Sequence, residues 1–258
     1  MMSARAVWKG VIGFGGERVP VKLYTAVSDR NVHFRLLDRR RHRPVHQAMI
    51  EPQSGKTVSR DDRHKAVVDK QDRILFDDEE LDELTPAPSR DIEVMHFLPQ
   101  GMIDNQWYQR PYFLGPDGDQ DTFDAFAAAL ADSGREGLVH WVMRHKAYVG
   151  ALRDHDGHPV LITLRHLDEV VDADALEPPG GGKLNDSEVK MATDLVEMYA
   201  ADFEPETYQD EYRQRLEALV ETKRSGKRVK VKHRRRQEPT DDIASSLKAS
   251  LARERKRA

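Results

Sequence analysis

The side chains of this 258-residue chain that can do chemistry are chiefly cationic. Residues 223–236 hold nine Lys/Arg and no acid: Lys223, Arg224, Lys227, Arg228, Lys230, Lys232, Arg234, Arg235 and Arg236. A block of like charge buries no core and repels itself, which predicts an extended, disordered tail. Its natural partner is a polyanion, most often a nucleic acid; a solubilising tail is the plainer alternative. Arg144-His145-Lys146 stands between two apolar runs, where a hairpin would turn. Three donors at such a tip suit phosphate oxygens, which fix position without reading sequence. Lys9, Lys22 and Arg35 are spread over the first three expected strands, as single surface charges that together can line one sheet face.

Other chemistries find less support. His42 and His46 are four apart, with Asp61, Asp62 and His64 downstream. Pro44 falls between the two histidines and removes the helix that would bring them to one face, so solvated loop histidines are the default and no metal or cofactor is expected. His155 and His158 flank a glycine turn and read as hairpin surface. Gly13-Phe14-Gly15-Gly16 lacks the Gly-Lys-Ser/Thr of a phosphate loop. There is no Gly-x-Ser-x-Gly elbow and no His-Glu-x-x-His. The absence of cysteine excludes disulfides, thiolate catalysis and cysteine-ligated zinc. A non-catalytic binder is therefore expected rather than an enzyme. A metal-dependent hydrolase using His42, His46, His64 and Asp61 is the enzymatic alternative.

Charge is divided along the chain. Residues 222–258 carry a net +10 and residues 1–221 a net −14, which the overall −4 conceals. Hydrophobic residues make up 38%, enough for a core, while 33% charged residues imply much exposed surface. The first six residues hold no apolar run, and no stretch approaches the 18 apolar residues of a membrane span. The expectation is a soluble, intracellular protein with no membrane partner.

Elements must position these groups. Strands are expected at 7–14, 19–24, 92–97, 112–114, 138–143, 147–152 and 160–164. Another is expected at 31–36, where Val32, Phe34 and Leu36 alternate with His33 and Arg35. A short acidic helix fits 77–84, and a second helix fits 122–132 with Gly134 as its stop. Residues 39–72 are polar and poorly periodic, a loop-rich subregion. Pro178-Pro179-Gly180-Gly181-Gly182 is the clearest linker. Beyond it Val189, Ala192, Leu195, Val196 and Tyr199 form a helical stripe. After a break at 202–205, Pro205 suits the first turn of a second helix bearing Tyr208, Tyr212, Leu216, Leu219 and Val220. Ile243, Leu247 and Leu251 form a last trio spaced by four. The order is a β-rich body, a linker, a helical arm and a tail: an α+β arrangement.

Taken in order, several segments resemble the bacterial Ku proteins of non-homologous end joining. Arg5-Ala6-Val7-Trp8-Lys9-Gly10-Val11-Ile12-Gly13-Phe14-Gly15 is similar to the family's first strand, Val19-Pro20-Val21-Lys22-Leu23-Tyr24 to its most recognisable run, and Val32-His33-Phe34-Arg35 to the strand that follows. Ser89-Arg90-Asp91-Ile92-Glu93-Val94 matches a further segment. Gly137-Leu138-Val139-His140-Trp141-Val142-Met143-Arg144-His145-Lys146, closing at Ala151-Leu152-Arg153, resembles the central hairpin. Glu188-Val189-Lys190-Met191-Ala192, Asp202-Phe203-Glu204-Pro205-Glu206-Thr207-Tyr208 and Tyr212 resemble the helical arm. The family's Cys-x-x-Cys pair is absent; His46 and Met49 stand nearest its place.

The resemblance implies a β-barrel core over 4–184, a helical arm over 185–222 and a basic tail over 223–258. It also implies a homodimeric ring whose bridging segments encircle duplex DNA, entered from a free end and gripping the sugar–phosphate backbone. Tyr208, Tyr212, Leu216 and Leu219 would pack the arm across the barrel or onto the partner. A short segment at 241–252, with Ile243, Leu247 and Leu251, is similar to the one that recruits the pathway's multifunctional ATP-dependent DNA ligase. Such a protein would act on the nucleoid in the cytoplasm. The rival readings are a general nucleoid- or RNA-associated protein acting through its tail, and a structural dimer.

Overall fold

Seven strands rich in apolar residues build a closed barrel. In the computed structural model, which describes residues 5–69, 72–176 and 185–226, these are β1 (Trp8–Phe14), β2 (Glu17–Thr25), β5 (Asp91–Pro99), β6 (Tyr108–Pro116), β7 (Arg135–Met143), β8 (Lys146–His155) and β9 (His158–Leu164). Their order around the barrel is β1-β2-β6-β9-β8-β7-β5. All neighbours are antiparallel except β1 and β5, whose parallel pairing through Ile12 and Ile92 closes the ring. Every second residue points inward. Ile12, Val21, Leu23, Ile92, Val139, Trp141, Leu152 and Leu161 are buried in one cluster. Helix α2 (Gln120–Ser133) adds Phe123, Phe126 and Leu130 to it, each stabilising by about 1.5–3 kcal/mol. Asp119 caps the helix by accepting the Thr122 N–H at 3.1 Å, and Gly134 ends it in the left-handed region, as expected from its sequence.

Two polar side chains, Glu136 and Thr163, are buried with these residues. Glu136 is fully buried; one carboxylate oxygen accepts the Tyr108 hydroxyl at 2.8 Å and the other has no partner among the described residues. Burial first, and the hydrogen bond to the carboxylate second, push the Tyr108 phenol up to about 12.

Between β2 and β5 the chain leaves the barrel. This excursion holds an exposed two-stranded hairpin, β3 (Lys65–Asp69) and β4 (Asp72–Phe76), and helix α1 (Asp78–Glu83). Residues 39–64 contain no strand beyond isolated bridges, as a loop-rich subregion should, but β3 occupies the end of the stretch expected to be loop. The strand expected at 31–36 does not form. Both edges of β2 are taken, by β1 and β6, so the alternating run that follows has no ladder to join.

The described residues fall into two compact units, one ending at Ala175 and one beginning at Leu176. In the second, α3 (Asp186–Met198) is capped by a reciprocal Asn185–Glu188 pair. The next helix, α4 (Glu211–Arg224), starts later than Pro205 suggested: Pro205 opens a single 3-10 turn, and Asp210 caps α4 through the Arg213 N–H at 3.0 Å. Tyr208 therefore lies before the helix. Lys223 and Arg224, expected in the tail, close its last turn, where cations complement the helix dipole. The linker at 178–182 lies outside the described residues.

Candidate nucleic-acid interface

The β7–β8 hairpin displays the cations that the sequence singled out. Met143 pairs with Lys146, so Arg144-His145 alone make the turn. Both have positive φ, 52° and 64°. Two-residue hairpins need this backbone to match the strand twist, and normally use Asn-Gly or Gly-Gly. The β1–β2 hairpin obeys that rule with Gly15-Gly16, at φ 55° and 91°. For L-residues with side chains the left-handed region costs about 1–2 kcal/mol each. The β7–β8 turn thus holds an imidazole and a guanidinium where glycine or asparagine would be more stable. The ladder beneath is firm: Trp141 and Tyr148, cross-strand partners, stack with centroids 5.3 Å apart.

Beside the turn lies a concavity lined by Trp8, Pro88, Ser89, Arg90, Val142, Arg144 and His145. Arg90, not foreseen as a site residue, thus joins Arg144 and His145 around one hollow. It precedes β5, and its carbonyl accepts the Val11 N–H at 2.8 Å. Gly10 makes this approach possible, since a Cβ there would lie 2.1 Å from the Trp8 ring and 2.6 Å from the Arg90 carbonyl oxygen. Lys146 is exposed at the start of β8.

Lys9 and Lys22 are brought together, but not with the turn. They are register partners on β1 and β2 and point outward, opposite in parity to the buried Ile12 and Val21. Both reach the same oxygen of Asp117, at 2.9 and 3.0 Å. The hydrogen bond from Lys9, then that from Lys22, holds the Asp117 carboxyl below the usual carboxylate range. One anion among two cations leaves a weaker positive spot than two free lysines. Arg35, expected on the same sheet face, lies outside the strands altogether.

The arm residues are open in the single chain. Tyr208 stacks on Phe203 at 5.5 Å while both remain exposed, Tyr212 is exposed, and Leu216 and Leu219 are half-buried. Lys227, Arg228, Lys230, Lys232, Arg234, Arg235 and Arg236 lie outside the described residues, as do Ile243, Leu247 and Leu251. Among the described residues no three His, Asp or Glu side chains converge as a metal site, and no helix is long and apolar enough to cross a membrane. Sequence reading passed over Arg90 and the run Arg39-Arg40-Arg41-His42-Arg43; a count of cations in short windows outside the tail is the signal that finds the latter.

Comparison with known proteins gives one consistent result. Residues 13–194 match the Ku70/Ku80 β-barrel domain family. The chain is 33% identical over 253 residues to "Non-homologous end joining protein Ku 2" of Geotalea uraniireducens, covering 97% of this chain and 98% of that protein. It is 31% identical to "Non-homologous end joining protein Ku" of Mycobacterium tuberculosis, over 96% of this chain and 94% of the relative. It is also 31% identical to the Bacillus subtilis protein of the same name, over 97% and 82%.

Proposed function

Since this chain belongs to the Ku β-barrel family, we propose that it binds the ends of double-stranded DNA, without regard to sequence, in double-strand break repair by non-homologous end joining. The role is binding rather than catalysis. The observation that carries this reading is the family match over the closed barrel, whose β7–β8 turn keeps Arg144 and His145 in a costly conformation. Strain of this kind is retained where side chains serve a function. Phosphate contacts of this type position a protein without reading bases.

A homodimeric ring completes the proposal. β3 and β4 form an isolated two-stranded hairpin, marginal in water by itself, with Val68 67% and Leu75 63% exposed. A second copy of the chain covers such apolar surface, and the exposed arm aromatics Phe203, Tyr208 and Tyr212 offer more. The ring threads onto a free end, bridges two ends and delivers an ATP-dependent DNA ligase through Ile243, Leu247 and Leu251. That trio is too short to be a stable helix alone and suits folding into a groove on binding. Residues 223–236 add a salt-sensitive grip that does not depend on ends. The protein acts on the nucleoid in the cytoplasm.

The test is a gel-shift series with linear and closed circular duplex. Binding is expected to scale with the number of free ends; equal affinity for the circle would sink the proposal. Light scattering should give twice the 29.5 kDa chain mass. A general nucleic-acid binder working through its tail predicts instead that residues 1–222 alone lose all preference for ends.

A further inference from the structure

The most cationic surface of the barrel-bearing unit lies in the excursion after β2, not on the barrel. Residues 30–50 hold six arginines, Arg30, Arg35, Arg39, Arg40, Arg41 and Arg43, no lysine and a single acid, Asp38. Four of the arginines sit on one tight loop. Its stem is the antiparallel bridge between Leu37 and Pro44, with the Asp38 N–H bonded to the Arg43 carbonyl at 2.8 Å and the Val45 N–H to the Leu36 carbonyl at 3.2 Å. The His42 N–H closes the turn onto the Asp38 carbonyl at 2.9 Å, and His42 itself has a φ of 54°.

Asp38 is positioned to shape this loop rather than to neutralise it. One of its carboxylate oxygens accepts the backbone N–H of Arg40 at 3.1 Å and of Arg41 at 2.6 Å. That is the side-chain bonding that fixes Asx-type turns. Several cations elsewhere meet carboxylates: Lys9 and Lys22 with Asp117, Arg18 with Asp91, Lys65 with Asp78, Arg213 with Glu217. Among the described residues, Arg39, Arg40, Arg41 and Arg43 have no carboxylate within ion-pair distance, and all four are exposed.

We propose that the Arg39–Arg43 loop is a phosphate-binding element, a second grip on the sugar–phosphate backbone of duplex DNA separate from the β7–β8 turn. The proposal rests on the end-binding reading. The chemistry favours this ligand because guanidinium groups present a planar fork that matches phosphate oxygens bidentately and stay charged at any working pH. The hydrogen-bonded stem fixes the backbone that carries them, so less order has to be imposed on binding. The one other side chain within the run is the His42 imidazole, and no amide stands there to pair with a base edge.

The experiment uses the full chain and a variant with Arg39, Arg40, Arg41 and Arg43 all changed to Gln, titrated with a short linear duplex and a closed circle over a range of salt. Each phosphate contact contributes about 0.9 to the log–log salt slope, so the variant's slope should fall by about 2–4 and its affinity at moderate salt by about tenfold or more. Its preference for ends should persist. The matching all-Lys variant should recover most of the slope but not all of the affinity, because it keeps charge without the fork. A wild-type preference for ends with a slope unchanged in the Gln variant overturns the loop assignment and leaves the end-binding reading standing. A wild-type chain that ignores ends overturns both. Loss of dimer mass in the Gln variant, with DNA affinity intact, would make the loop a protein–protein contact and equally refute the assignment.

Discussion

Replacing Arg144-His145 by Asn-Gly should make the protein more stable and a poorer DNA binder at once. The two residues form a two-residue turn with φ of 52° and 64°. Left-handed backbone costs about 1–2 kcal/mol for a residue with a Cβ, and Asn and Gly escape most of it. Gly returns about 0.5–1 kcal/mol of that as extra freedom in the unfolded chain. The net gain is about 1 kcal/mol, or about 2–4 °C in Tm for a domain of this size. Neither side chain is buried, so no packing loss opposes the change. The substitution also removes a guanidinium and an imidazole beside Arg90, so the salt slope of DNA binding should fall by about 1. Differential scanning calorimetry and a salt-dependent fluorescence titration read the two effects separately. An unchanged or lower Tm refutes the strain argument. A higher Tm with undiminished DNA binding refutes the claim that strain is kept for contact.

Three further outcomes follow from other parts of the fold. Gly10→Ala forces a Cβ to 2.1 Å from the Trp8 ring and 2.6 Å from the Arg90 carbonyl oxygen, where β1 and β5 close the barrel. Denaturant unfolding should show a loss of about 1–3 kcal/mol, and a loss under about 0.5 kcal/mol would contradict the packing. Tyr108→Phe leaves the buried Glu136 carboxylate without its hydroxyl donor, at a cost of about 1–3 kcal/mol near neutral pH. The Tyr108 phenol is raised in the fold from 10.0 to about 12, so the stability it lends is complete below pH 10 and is lost as pH climbs to about 12. Circular dichroism at rising pH should therefore show a shallower alkaline decline in the Phe variant, and parallel curves would refute the shift. Asp117→Asn leaves the paired Lys9 and Lys22 facing each other; thermal stability should drop at low salt and the difference should vanish in about 1 M salt. A difference that persists at high salt would mean the pair is not electrostatic.

The barrel was legible because its strands bury one face, and burial writes alternation into the chain. Ile12, Val21, Leu23, Val139 and Trp141 each fall on the inward parity. Helix α2 was legible from Phe123, Phe126 and Leu130 with Gly134 behind them. The same logic misread residues 31–36. Alternation states which face would be buried, while a strand also needs an edge to pair with, and β6 already occupies the edge of β2. β3 and β4 escaped notice for the opposite reason: they are almost wholly exposed, so no period marks them. The later start of α4 turned on Asp210 capping the Arg213 N–H, a local competition that Pro205 does not reveal.

Residue types by themselves determined the absence of thiol chemistry, the division into an acidic body and a basic tail, and the placing of Arg144-His145-Lys146 at a turn. Those are properties of composition and of neighbours in the chain. Tertiary structure decided which cations are free. Strand register set Lys9 against Lys22, and the approach of Asp117 tied both to one carboxylate. Chain folding put Arg90 beside Arg144, from segments far apart in sequence. The turn of Asp38 toward its own backbone left Arg39, Arg40, Arg41 and Arg43 without a carboxylate partner among the described residues. A charge exerts its field on a ligand only to the extent that nearby opposite charges leave it unscreened, and proximity in space is fixed by the fold.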